Sequence, residues 1–318
     1  MSTIISVKGL TKYYGNLLAV DHVTFNVFEG EIFGFLGPNG AGKTTTIKML
    51  TGLTYPSDGT AIIGGYDLLK EIRLIKGIVG VVPEYSNLYS ELSVEENLKF
   101  MAHLYHVRGE RLNQRVDQLL KLFRLQDYRN ISFGKLSRGL KRRVTLAAAL
   151  VHNPKILFLD EPTTGLDVIS ARNLRRLLED LRGQGITIFL TTHYIEEAEQ
   201  LCDRVAIIVK GRLVALDTVE SLRKVVGDAQ ILEVMFKSRV DKAKLTEYFN
   251  GEIVSFHGDR VRIICKDFGE MVEKMLKFSK TFNFEISSIN TVKPTLEDAF
   301  VKLTGIESSW MLLEKGVK

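Results

Sequence analysis

Gly37-Pro38-Asn39-Gly40-Ala41-Gly42-Lys43-Thr44-Thr45 follows the short apolar run Ile32 to Leu36 and precedes a helical pattern. The nonapeptide fits G-x-x-x-x-G-K-[ST] in the strand-to-helix setting that this motif requires. Glycines let backbone N–H groups turn inward around a polyphosphate, and the positive end of the following helix points at the same place. In such a cradle Lys43 reaches the β and γ phosphates and the Thr44 hydroxyl ligates Mg²⁺. A polyphosphate with Mg²⁺ is therefore expected, and the alternative is a glycine-rich turn with an incidental lysine.

Working outward, further β-branched runs alternate with helical patterns: Ile78 to Val82, Ile156 to Leu159, Ile186 to Leu190 and Val205 to Val209. Buried strands of this kind predict an α/β fold with a mostly parallel sheet. Ile4 to Val7 and Val20 to Val27 read as an antiparallel β addition. Strand signal vanishes between Ser93 and Asn153, which predicts a helical insertion whose first helix opens with Ser93 and Glu96 in capping-box spacing. After Asp217 the order becomes strand, helix, strand, strand, helix, strand: Ile231 to Phe236, Asp241 to Phe249, Ile253 to Phe256, Arg260 to Cys265, Glu270 to Phe278 and Phe284 to Asn290. That order fits a small ferredoxin-like α+β unit. The expected division is residues 1–217, with a helical subdomain at about 90–155, and residues 218–318, the boundary falling near 217–229.

The run Ile156 to Leu159 ends in Asp160 and Glu161, placing two acids where a buried strand meets solvent. Asp160 is suited to hold Mg²⁺ and Glu161 to orient or deprotonate an attacking water, since phosphoryl transfer depends on positioning and charge stabilisation. Alone the pair reads as a solvated loop; beside the phosphate cradle it reads as functional. His193 closes Thr191-Thr192-His193 after another apolar strand. A histidine there is a surface or packing residue, or it lies at the ligand edge of the sheet and bonds a γ-phosphate.

Composition limits the alternatives. The chain has 318 residues, 45% hydrophobic and 25% charged, enough for about two domains with a real core. No uncharged apolar run approaches the ~20 residues of a spanning helix, and the N-terminus lacks a leader pattern, so a cytoplasmic location is expected. A net charge of +5 from 43 basic and 38 acidic residues is too slight for a nucleic-acid footprint, and no nucleic-acid partner is expected. The basic run Leu140-Lys141-Arg142-Arg143 reads as a solvated helix face with interdomain pairing. Cys202 and Cys265 read as free thiols.

Together with Leu136-Ser137-Arg138-Gly139-Leu140 and Thr164-Gly165-Leu166-Asp167, these segments make residues 2–217 resemble the ATP-binding subunits of ABC transporters, with five motifs in that family's order. The resemblance implies a P-loop NTPase core in which Gly37 to Thr45 is the Walker A segment. Asp160 and Glu161 take the Walker B places, Asp167 that of the D-loop acid and His193 that of the switch histidine. It implies that Tyr14 stacks on adenine, although Tyr14 also reads as a core aromatic and Tyr13 as its substitute. Leu136 to Leu140 matches the family signature, so Ser137, Gly139 and a helix beginning near Leu140 would clamp the nucleotide of the opposite subunit in a head-to-tail homodimer. The sequence departs at Arg138 and Leu140, where the family has glycine and glutamine. In Val81-Val82-Pro83-Glu84 the Q-loop glutamine is Glu84, which accepts bonds or sits near Mg²⁺ but lacks the amide donors. The arginine either adds a cation near phosphate or points to solvent.

Pro294 to Gly305 resembles the ending of daunorubicin/multidrug-resistance-type (ABC-2-type) exporter ATPases. That implies an ATPase motor attached to the cytoplasmic face of the membrane, driving a separate integral membrane permease, with Tyr85 to Tyr89 near its socket. The C-terminal unit would be a packing module or a ligand sensor. The rivals are a soluble ABC ATPase acting on nucleic acid or the ribosome and a regulatory nucleotide-binding module without turnover.

Overall fold

The computed structural model describes residues 2–226, 230–249, 253–265 and 267–306. Residues 227–229 of the expected boundary and 307–318 of the expected C-terminal unit lie outside the described residues. The chain forms two compact units: residues 1–193 with 201–213, and residues 194–200 with 214–318.

The first unit opens with β1 (Thr3–Tyr14) and β2 (Leu17–Phe28), longer than the apolar runs that mark them. They pair antiparallel and join β4 (Asp58–Ile63) and β5 (Tyr66–Asp67) in a four-stranded sheet of order β2-β1-β4-β5. Five strands of a second, six-stranded sheet, β3 (Ile32–Leu36), β6 (Val79–Val82), β7 (Ile156–Asp160), β8 (Thr187–Thr192) and β9 (Arg204–Val209), lie in the order β9-β3-β8-β7-β6, every pair among these five parallel. Strands β3, β7 and β8 are buried throughout, as two-sided coverage demands. Ile78, expected in a strand, instead closes α2 (Ile72–Ile78), and β6 begins one residue later.

Between the sheets, Phe25 of β2 stacks 5.5 Å from Phe33 and lies 5.9 Å from Phe189, which in turn lies 5.3 Å from Phe158. This aromatic cluster joins the β addition to the parallel sheet. The insertion contains α3 (Val94–Leu104), α4 (Glu110–Leu122) and α5 (Arg138–Ala149). Ser93 and Glu96 cap α3 reciprocally, satisfying two otherwise orphaned donors. Glu95 receives two bonds from Arg129, at 2.6 and 2.8 Å.

The second unit holds α7 (Ile195–Leu201) except its last residue, and α8 (Val219–Lys224). It then runs β11 (Gln230–Phe236), α9 (Lys242–Phe249), β12 (Ile253–His257), β13 (Arg260–Cys265), α10 (Phe268–Phe282), β14 (Ile286–Val292) and α11 (Leu296–Thr304). The chain passes between the units along β10 (Arg212–Thr218). The four antiparallel strands lie in the order β12-β13-β11-β14, the arrangement of a split βαβ fold. Leu232, Val234, Phe249, Val261, Ile263, Met275 and Phe278 form its core. Thr295 and Asp298 make a capping box on α11, while Glu199 of α7 accepts bonds from Leu296 N and Arg223 Nε.

Candidate active site

Parallel register brings three strand ends level. Leu36 of β3 pairs with Thr192 of β8, and Asp160 of β7 pairs with Thr191. The next residues, Gly37, Glu161 and His193, therefore leave the sheet side by side at its carboxyl edge, where open α/β sheets bind ligands.

The Gly37–Thr45 loop wraps the start of α1 (Lys43–Leu50). Gly40 and Gly42 have φ of 75° and 100°, a region costly for side-chain-bearing residues. Gly37 is glycine for another reason: a Cβ there would lie 2.2 Å from Ile208 O on β9. The helix carries no acid in its first turn and no side-chain cap, leaving its first N–H groups to an anion. Lys43, only 6% exposed, donates to Gly37 O at 2.7 Å and Pro38 O at 3.0 Å, and its Nζ lies 3.2 Å from Glu161 Oε1.

The two acids are not a solvated strand end; Asp160 and Glu161 are each 6% exposed. Asp160 Oδ1 accepts bonds from Thr191 Oγ1 at 2.5 Å and Thr44 Oγ1 at 3.1 Å. These hard oxygen atoms fit Mg²⁺, which takes few protein ligands and completes its octahedron with phosphate and water. Among the described residues no cluster of three or more His, Cys, Asp or Glu offers an all-protein cage.

Among the described residues Oε1 of Glu161 has only the Lys43 ion pair, while hydrogen bonds hold the Glu161 main chain and Oε2. Its N–H meets Thr191 Oγ1 at 3.1 Å, its carbonyl accepts Arg142 Nη2 at 2.7 Å, and Oε2 lies 2.7 Å from His193 Nδ1 and accepts Thr164 Oγ1 at 3.3 Å. Its φ of 48° is a left-handed backbone that costs a non-glycine residue about 1–3 kcal/mol. Burial pushes the carboxyl up, but the His193 hydrogen bond and the Lys43 charge outweigh burial and hold it below the usual carboxylate value. An ionised, oriented carboxylate beside a phosphate cradle is equipped to accept a proton from water.

The remaining expected site residues lie elsewhere in the unit. Ser137 is the N-cap of α5 and accepts Leu140 N at 3.3 Å; the helix begins at Arg138, not near Leu140, because the serine supplies the cap. A Cβ on Gly139 would meet Ser170 Oγ at 2.7 Å, and one on Gly165 would lie 3.7 Å from Nη1 of the exposed Arg138. Asp167 caps α6 (Val168–Gly183), and its bonds from Ser170 N–H and Oγ hold its carboxyl low. Among the described residues no hydrogen bond or ion pair joins Ser137, Gly139 or Asp167 to Gly37–Thr45 of the same chain. Tyr13 and Tyr14 are both 47% exposed, so neither is a core aromatic, and Lys12 Nζ sits 5.2 Å above the Tyr14 ring. The Glu84 side chain is half-buried.

Two residues in the site were not singled out from the sequence. Thr191 is fully buried and grips both Asp160 and the Glu161 backbone. Arg142, read above as part of a solvated basic face, is 7% exposed and points inward to main-chain carbonyls of Pro83, Asp160, Glu161 and Pro162. Thr191 stood beside His193 as the only signal; for Arg142 a run of basic residues concealed which one faces the core.

The ABC transporter family profile matches residues 20–164. The chain is 37% identical to the bacitracin transport ATP-binding protein BcrA of Bacillus licheniformis over 96% of its own length and 98% of that protein's. It is 40% identical to the probable multidrug ABC transporter ATP-binding protein YbhF of Escherichia coli K12 over 70% of this chain, but spans only 38% of that relative. A dimeric ATP-binding cassette in a post-hydrolysis state, bound to ADP and Pi, superposes with a TM-score of 0.62 at 28% identity, covering 67% of this chain and 98% of that one. With near-complete coverage of a relative at that identity, the chain belongs to the ATP-binding proteins of ABC transporters.

Proposed function

We propose that this chain is an ATP-hydrolysing subunit that works as a head-to-tail pair and powers a separate membrane permease in the export direction. The observation that carries the reading is the Lys43–Glu161–His193 constellation at the level strand ends, beside the Thr44–Asp160 oxygen pair. Lys43 and the N–H groups of the Gly37–Thr45 loop bind the ATP phosphates. Thr44 and Asp160 would hold Mg²⁺, which supplies charge neutralisation at the phosphates when bound, and Glu84 is a further candidate ligand. Glu161 accepts the proton of the attacking water while His193 fixes the direction of its carboxylate.

Ser137 and Gly139 serve the ATP of the second copy, and Asp167 faces the same junction. Tyr14 offers its ring to adenine; the exposed ring is available for stacking. Residues 1–217 would act as the nucleotide-binding domain, with the helical subdomain at about 90–155, and residues 218–318 as an accessory domain. No helix among the described residues is long and apolar enough to cross a membrane. The separate permease, with attachment at the cytoplasmic face, is supported by the likeness to BcrA, a bacitracin transport ATP-binding protein. The export direction is supported by the resemblance of Pro294 to Gly305 to exporter ATPases.

Phosphate release by wild type and Glu161→Gln, with and without the copurified permease, tests the reading. Loss of turnover in the variant and stimulation of wild type by a membrane protein are expected. Normal turnover in Glu161→Gln contradicts it. Glu84→Gln is expected to change the Mg²⁺ dependence or the coupling to transport, and unchanged ATPase, Mg²⁺ titration and transport would show Glu84 to be inert.

A further inference from the structure

Arg142 lies on α5 just over one turn beyond the Ser137 cap, and its guanidinium is divided between two loops. Nε donates to Pro162 O at 2.7 Å, and Nη2 to Glu161 O at 2.7 Å and Asp160 O at 3.4 Å. Nη1 donates to Pro83 O at 2.6 Å, with Glu84 O at 3.5 Å. One side chain thus ties the end of β7 to the segment after β6. A planar fork of five donors can serve several carbonyls at once, whereas an ammonium donates from a single point.

The position carries a cost that packing alone does not require. Burying a guanidinium forfeits its hydration, and an apolar side chain of similar length would fill the space without that penalty. The group that benefits is Glu161, whose left-handed backbone persists only if its surroundings over-determine it. Arg142 grips the carbonyl of that residue, while Thr191 accepts from its N–H.

We propose that Arg142 is a positioning residue for ATP hydrolysis: its guanidinium locks the Glu161 backbone against Pro83–Glu84, sets the direction of the Glu161 carboxylate, and connects the Ser137 end of α5 to that acid. The inference rests on the reading of Glu161 as the hydrolytic carboxylate.

Steady-state hydrolysis, ATP binding and thermal unfolding of Arg142→Met, Arg142→Lys, Glu161→Gln and the Arg142→Met/Glu161→Gln pair test it. Arg142→Met is expected to bind ATP with unchanged Kd and KM while kcat falls about 10²-fold, the effect of misplacing a reacting group by about 1 Å. Arg142→Lys recovers little, because one ammonium cannot span both loops. In the Glu161→Gln background, Arg142→Met adds no further loss, since both act through the same group. Wild-type kcat in either Arg142 variant, or full additivity in the pair, overturns the proposal. If Arg142→Met shows no cooperative melt, Arg142→Lys decides by the same separation of kcat from KM. Should Glu161→Gln itself hydrolyse ATP normally, the functional reading falls; should it be inactive while Arg142→Met is normal, only the role of Arg142 falls.

Discussion

Glu161 Oε2 lies 2.7 Å from His193 Nδ1, joining the loop after β7 to the end of β8. Oε1 faces Lys43 Nζ at 3.2 Å as an ion pair, and both neighbours favour the ionised form of the carboxyl.

A pH profile follows from this pair. A carboxyl held below its unfolded value adds stability that is fully present above the unfolded pKa and is lost as pH falls through the lower folded value. The acid limb of kcat/KM for wild type is therefore expected below the ordinary carboxylate range around pH 4. Removing the imidazole in His193→Ala leaves burial less opposed, so the limb moves toward higher pH as kcat falls. Profiles of the two proteins with coincident acid limbs would contradict the assignment.

Lys43→Ala removes the one buried ammonium that the loop carbonyls of Gly37 and Pro38 hold in place. A hydrogen bond to a charged group contributes about 1.5–3 kcal/mol, so ATP affinity is expected to weaken roughly ten- to hundredfold. Calorimetric titration measures this directly, and unaltered affinity would remove Lys43 from the cradle.

Helical-subdomain stability should depend on acid through Glu95. The forked bonds from Arg129 outweigh burial and lower its carboxyl to about 2 from the model-compound 4.5. The contribution is complete above about pH 4.5 and disappears as pH falls through about 2. Arg129 is partly exposed, so solvent screening limits the contribution to about 1 kcal/mol. Urea unfolding of Arg129→Met should show a lower midpoint than wild type at pH 6 and a smaller difference as the pH approaches 2; a constant difference would rule out the pair as its source.

The parallel core and the nucleotide loop were legible because their signals are local: an apolar run, then glycines and Lys43 at fixed spacing. The pairing of Ser93 with Glu96 was legible for the same reason. Arg142 was not, since adjacent Lys141 and Arg143 present the same charge and only the fold selects the one that turns inward. The start of α5 was hidden because Gly139, a poor helix former, occupies its first turn. Nor does any local pattern tell that Glu199 caps Leu296, 97 positions away. Contacts of this kind arise from tertiary packing between segments far apart in the chain, which no local spacing encodes.

The most direct test of the central claim is the mass and nucleotide content of Glu161→Gln isolated with Mg·ATP. A dimer retaining two ATP molecules, lost both in Lys43→Ala/Glu161→Gln and in Ser137→Arg/Glu161→Gln, is the expected result. A monomer that retains ATP regardless of residue 137, or a protein that binds no nucleotide, would contradict the account.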